Sequence, residues 1–148
     1  MKLYPLLSCL LIFACTAQHK PAVEAAIADN AINEEQTRQV LAHHWDAFKG
    51  NDLEGTMADY TEESILVTPD KTFRGLEEIR ANFVAAFKAF PKDSSTLTLN
   101  KNTVSKDIGY IVWSAATPTF QLVYATDTFI IQNGKILRQT YAGLMDVE

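Results

Sequence analysis

Hydrophobic positions repeat with helical spacing in the first part of the chain from residue 33 and with strand spacing after residue 95. Val40, Leu41, His44, Trp45 and Phe48 fall on one helical face, and Gln39, His43 and Asp46 on the other, so His43 is read as solvated. Asn33 with Gln36 three residues on is a capping-box-like start, and Gly50-Asn51 ends the helix. Asp52 caps a second, short helix with Leu53, Met57 and Tyr60 facing inward. Residues 64–68 are rich in β-branched and apolar side chains and predict a strand, turned by Pro69-Asp70-Lys71. After Gly75, the spacing of Leu76, Ile79, Phe83, Phe87 and Phe90 predicts a third helix, with Glu77 and Glu78 at its positive end. Pro91 stops it. Residues 96–104, 108–116, 120–132 and 135–144 predict four strands. Helices first and long strands last give an α+β class, with three helices packed on one face of a curved antiparallel sheet. Phe83, Phe87, Trp45 and Phe48 are expected in its core.

The last hairpin decides which side chains share a face. Asn133-Gly134 is either a two-residue turn or part of a three-residue loop with Gly134 left-handed. One residue of register flips every side chain to the other face. The two-residue turn sets Asp127, Phe129 and Ile131 beside Ile136, Arg138 and Thr140. The loop Gln132-Asn133-Gly134 sets them beside Leu137, Gln139 and Tyr141, and gathers Thr126, Thr128, Arg138 and Thr140 on the opposite face. The second arrangement segregates polar from apolar area better and is the expected one. Trp113 alternates away from Val112, which places it on the outer face.

Residues 1–14 do not fit this domain. Lys2 precedes an apolar run too short to span a bilayer, as in a secretory signal. Ile12-Phe13-Ala14-Cys15 is similar to a bacterial lipobox, which would make Cys15 a lipidated mature N-terminus; the other reading is an ordinary signal peptide cut a few residues later. Residues 15–32 are then a tether and residues 33–148 the folded domain. The expected location is the cell envelope of a bacterium, facing the periplasm, with the membrane touched only through the lipid. Cys9 and Cys15 are the chain's two cysteines, so the domain has neither disulfide nor cysteine nucleophile.

The chain has 148 residues, 47% of them hydrophobic, and a formal charge of −5. That size suits one packed domain, and that charge argues against nucleic acid as a partner. No phosphate-binding glycine motif is present, so no cofactor is expected. His43 and His44 point about 100° apart on a helix and no ligand cluster completes a set, so no metal is expected either.

Several segments together carry a family resemblance. Asn51-Asp52-Leu53-Glu54-Gly55 follows the first helix, residues 64–69 run from strand to proline, and Asp127-Thr128-Phe129 precedes Gly134-Lys135. Over roughly residues 40–143 this order resembles the nuclear transport factor 2-like superfamily, the cone-shaped fold of ketosteroid isomerase and of SnoaL-like polyketide cyclases. The isomerases use a general-base Asp, and a Tyr and a protonated Asp that donate hydrogen bonds to the substrate oxygen. The resemblance implies that the donor Asp falls on Asp127, the donor Tyr on His44 and the base on Thr68. A threonine hydroxyl is too weakly basic to remove a carbon-bound proton, so the isomerase reaction itself is not expected. What the resemblance implies instead is a cavity with His44 and Asp127 as an acid/base pair, walled by Tyr60, Thr68, Tyr110, Val112, Gln139 and Tyr141. Against this stands the plainer possibility that His44 is a core residue with one hydrogen bond and that Asp127 sits in a structural ion pair with Arg138.

Three functions are compatible with these residues. The first is acid/base chemistry on a small apolar carbonyl compound. The second is a lipid-anchored module that binds a small apolar molecule without turning it over. The third is a dimerising scaffold. A homodimer is expected in any of them.

Overall fold

The computed structural model describes residues 32–146; the expected signal segment, Cys15 and nearly all of the tether lie outside the described residues. Among the described residues three helices, α1 (Glu34–Lys49), α2 (Leu53–Ala58) and α3 (Gly75–Ala89), combine with six strands. The strands are β1 (Ile65–Val67), β2 (Thr72–Arg74), β3 (Thr96–Ser105), β4 (Ile108–Ala116), β5 (Gln121–Gln132) and β6 (Lys135–Asp146). They form one sheet in the order β2-β1-β6-β5-β4-β3, curved and unclosed, with the helices packed against it.

Local chemistry sets the helix starts. The Asn33 side chain accepts the Gln36 N–H at 3.1 Å and Asp52 accepts the Gly55 N–H at 2.9 Å, each satisfying a helix donor that would otherwise lack a partner. Glu77 and Glu78 lie in the first turn of α3, where the helix dipole favours them. Helix α1 lies close to the sheet at Gly109, where a Cβ would come within 3.0 Å of Leu41.

The sheet departs from expectation in two ways. β1 runs parallel to β6 while every other pair is antiparallel, so the sheet is mixed. Residues 72–74 add a short strand beyond the turn at Pro69, pairing with β1. The parallel pair is possible because α3 and the β3–β5 meander intervene, the long crossover that parallel strands require.

The hairpin combines features of both expected alternatives. Asn133 and Gly134 form a two-residue turn with φ of 52° and 71°, the left-handed pair that a type I′ turn needs. Next to the turn, Ile131 pairs with Ile136. A bulge at Leu137 then shifts the register by one residue, so that Phe129 faces Gln139 and Asp127 faces Tyr141. Asp127 reaches the expected face with Gln139 and Tyr141, while Leu137 is the extra residue of the bulge.

The core lies between the helices and the concave face. Phe83 is fully buried, whereas Trp45, Phe48 and Phe87 are half-buried. Trp113 is also buried, contrary to its expected place on the outer face. Its ring is the hub of an aromatic cluster, with centroids 5.7 Å from Phe48, 5.6 Å from Phe90 and 5.9 Å from Trp45, all edge-to-face.

Candidate functional site

The open space between α1, α3 and the concave sheet is a cavity of about 400 Å³. Its walls are mainly aromatic, with Trp45, Phe48, Phe83, Phe90, Trp113 and Phe129 contributing rings. His44, Asp127, Gln139 and Tyr141 bring polar atoms to it. Pro69, Asp70, Gly143 and Met145 are exposed members of its lining and mark its rim.

Asp127 sits on β5 opposite Ile111 of β4 and Tyr141 of β6. It is 5% exposed, and both carboxyl oxygens are held by neutral donors. The Trp113 indole N–H donates to Oδ2 and the Gln139 amide N–H to Oδ1, each at 2.8 Å. Burial pushes its pKa above the usual carboxylate range; the two N–H donors and the nearby His44 pull it back only in part. Arg138 is not its partner. That side chain points away and donates to the carbonyls of Glu63 and Leu137.

His44 does not touch Asp127 directly; two side chains stand between them. The Tyr60 hydroxyl is 3.4 Å from His44 Nε2 and donates to Gln139 Oε1, and Gln139 in turn donates to Asp127. On its other side, His44 Nδ1 lies 3.3 Å from Asp59 Oδ2. The His44 ring is packed edge-on against Tyr60, Phe83 and Phe129 at 5.5, 5.7 and 5.4 Å. Burial first, then the Asp127 and Asp59 charges, raise the Tyr60 hydroxyl well above its ordinary pKa, so it stays protonated. The Tyr141 hydroxyl is raised by burial and by Asp127.

The expected site residues therefore separate into groups. The structure brings His44, Asp127, Gln139, Tyr141 and Thr68 to the cavity. Tyr60 lies behind the wall and joins the site through hydrogen bonds. Tyr110 and Val112 are corrections, since they pair with Thr128 and Thr126 on the convex face, away from the cavity. Their places are taken by Ile111 and Trp113. β4 alternates without a break, with Gly109, Ile111, Trp113 and Ala115 buried; the bulge lies on β5 at Val123-Tyr124 and sets Ile111 rather than Tyr110 against Asp127. Thr68 lines the cavity, but its hydroxyl is spent on the turn, accepting the Lys71 N–H and donating to the Lys71 carbonyl.

Three participants were not expected. Trp113 is the first. Asp59 is the second; it is buried at the C-terminal end of α2 and holds both His44 and His43, whose Nδ1 lies 2.9 Å from Asp59 Oδ1. His43 is thus partnered rather than merely solvated. A signal for Asp59 exists, because an acid at the negative end of a helix needs a compensating partner. Asp70 is the third, a rim carboxylate two residues past Thr68. Among the described residues, no group of three or more His, Cys, Asp or Glu side chains is placed to hold a metal ion.

The family model of the SnoaL-like domain matches residues 41–139, about two thirds of the sequence. The chain belongs to the SnoaL-like domain family. Solved structures share the cone. A candidate ketosteroid isomerase from Kribbella flavida is 17% identical with a TM-score of 0.65, covering 78% of this chain and 82% of its own. A candidate polyketide cyclase from Sinorhizobium meliloti is 21% identical with a TM-score of 0.62, covering 70% and 94%. A SnoaL-like protein of unknown function from Burkholderia thailandensis is 15% identical with a TM-score of 0.62, covering 77% and 98%. Identities this low speak for the fold alone. No protein with a curated description matches the chain. The SnoaL-like cone accounts for the position of Asp127 on the concave face; what the cavity does depends on its own side chains.

The buried acid makes a pH-dependent prediction. Folded Asp127 binds its proton more tightly than the unfolded chain does. Its contribution to stability is therefore unimpaired below the unfolded pKa of about 4 and declines as pH rises through the folded midpoint. Asp127→Asn removes that decline, so denaturant titrations should show the variant gaining on the wild type between acid and neutral pH. A variant that loses ground over this range would mean that the carboxylate is held ionised. Trp113→Phe should cost about 1–3 kcal/mol at neutral pH by removing one N–H from a buried acceptor. A cost near zero would place the indole elsewhere.

Proposed function

We propose that this SnoaL-like domain binds a small, largely apolar molecule bearing a carbonyl or similar oxygen, and that Asp127, coupled to His44, exchanges a proton with it. The observation that carries this reading is the Asp127 carboxyl, buried in an aromatic cavity with its proton affinity raised. A carboxyl whose proton affinity is raised by burial is a better general acid than an ordinary one, and a hydrogen-bond donor whenever it carries its proton. The Tyr141 hydroxyl is a second polar group at the same wall. Rings that line the cavity supply apolar area for a flat or alicyclic skeleton, and the volume of about 400 Å³ suits a drug-sized molecule.

A second reading, binding without turnover, is favoured by Thr68. Its hydroxyl is committed to the turn and adds no base to the cavity. Asp70 is then the carboxylate that distinguishes the two readings, since among the described residues it is the one other acid at the cavity.

We further infer a lipid anchor at Cys15 that holds the domain in the cell envelope, facing the periplasm, and a homodimer. The motivations are the lipobox-like Ile12-Phe13-Ala14-Cys15 and the exposed apolar side chains Val123, Tyr124, Leu144 and Met145 on the last two strands. Among the described residues no helix is long and apolar enough to cross a membrane.

Native mass spectrometry of protein purified from its own host tests the binding reading. A retained small molecule is expected in the wild type and lost or weakened at least tenfold in Asp127→Asn, a difference of about 1.4 kcal/mol. Equal retention by both would remove Asp127 from the site. Turnover of the identified molecule that survives Asp70→Asn but fails in Asp127→Asn supports the acid reading. Mass measurement of the membrane fraction should show an acylated chain beginning at Cys15; a free chain beginning later would contradict the anchor.

A further inference from the structure

Between His44 and Asp127 the polar side chains form a single line: Asp59, His44, Tyr60, Gln139, Asp127 and finally Trp113. Each member has a fixed stock of donors and acceptors. The Trp113 indole only donates, an ionised Asp59 only accepts, and Tyr60 has one hydrogen. Those constraints leave few ways to satisfy the line.

In the arrangement observed, Gln139 gives its N–H to Asp127 and its oxygen accepts the Tyr60 O–H. Tyr60 has then used its hydrogen, so its oxygen faces His44 Nε2 as an acceptor. His44 Nδ1 faces the Asp59 carboxylate, also an acceptor. Every contact is satisfied when His44 carries hydrogen on both nitrogens and Asp127 is ionised. A second arrangement needs no movement of the main chain. A half-turn of the Gln139 amide exchanges its oxygen and nitrogen. Protonated Asp127 then donates to Gln139 Oε1, Gln139 N–H to Tyr60, and Tyr60 O–H to a His44 Nε2 that has lost its hydrogen. The other two protonation states fail. With both groups protonated, Tyr60 meets donors from both sides and its own hydrogen has no acceptor. With both deprotonated, two lone pairs meet, either at His44 Nε2 or, if Tyr60 turns its hydrogen there, at Gln139 Oε1.

We propose that Asp127 and His44 share one proton through Tyr60 and Gln139, the Gln139 amide turning to follow it, so that Asp59, Tyr60 and Gln139 are positioning residues that set whether the cavity acid is charged. The exchange balances. The N–H bond at His44 Nε2 breaks with its proton released to water, an O–H bond at Asp127 forms with a proton taken from water at the open cavity, and Tyr60 keeps its own hydrogen and turns it from Gln139 to His44, so no net reactant is consumed. Other titratable groups at the pair are Tyr141 from β6, Asp70 from the β1–β2 turn, and His43 from α1 on the far side of Asp59; among the described residues no Lys or Arg lines the cavity, and α3 faces it with the neutral Asn82. His43 is half-exposed and brings the Asp59 end of the line to solvent.

This deepens the reading of Asp127 as the cavity acid, but it is tested on the ligand-free protein, so a failure to find turnover leaves its outcome intact. The ¹⁵N signals of the His44 ring and the ¹³C signal of the Asp127 carboxyl are followed against pH. A shared proton gives two joint steps, each visible at both nuclei, as coupled sites require. In Tyr60→Phe the line is cut while the ring remains, and each nucleus should show one step of its own. Gln139→Met, of similar length, should do the same if Tyr60→Phe folds poorly. Separate single steps already in the wild type would overturn the proposal. Joint steps that persist in a folded Tyr60→Phe or Gln139→Met would also overturn it, because the coupling would then act through space alone.

Discussion

An acid buried among aromatic rings is the constraint on which the rest of this structure depends. Taking a carboxyl out of water costs several kcal/mol unless its oxygens find donors or it keeps its proton. Here Trp113 and Gln139 occupy one oxygen each. Neither donor carries a charge, so the site softens the desolvation without cancelling it, and the proton affinity stays raised. A guanidinium in the same place would have fixed the carboxylate as an anion and ended its use as an acid.

The backbone is shaped to make that contact. Two bulges do much of the work. One, at Leu137, lets a tight Asn133-Gly134 turn coexist with the register that puts Gln139 and Tyr141 beside Asp127. The other, at Val123-Tyr124 on β5, sets Asp127 on the same face as Trp113 of the evenly alternating β4. Without either shift, alternation along a strand would part Asp127 from one of its donors. Trp113 then serves two purposes, since the ring whose N–H holds Asp127 is also the centre of the aromatic cluster joining α1 and α3 to the sheet. Packing and polar chemistry are therefore tied to one side chain.

Much of the fold was legible in the sequence because periodicity and capping are local. The helices at Asn33 and Asp52, the Phe-rich third helix and the four long strands follow from such signals, as does the resemblance to the SnoaL-like family. The parallel pairing of β1 with β6 was not legible, because a three-residue strand carries no mark of its partner. The candidate site was legible where a side chain's face follows from its own strand, as for Asp127, Gln139 and Tyr141. It was misread at Tyr110 and Val112 because both faces of β4 hold apolar and aromatic residues, and the bulge on β5 changes which of them lie opposite Asp127. Thr126 and Thr128 opposite them were the available sign of an outward face. Asp59 escaped notice because its partners lie a helix away, on α1.

The central claim is that the Asp127 carboxyl, desolvated and held by the Trp113 indole, titrates above an ordinary carboxylate. The indole ¹H–¹⁵N resonance of Trp113 reads that contact without a ligand and without altering the protein. Followed against pH, it should shift as Asp127 changes charge, with its main step above the usual carboxylate value of about 4, and the shift should vanish in Asp127→Asn. An indole signal indifferent to pH, or one whose step falls at or below the ordinary value, would contradict the account.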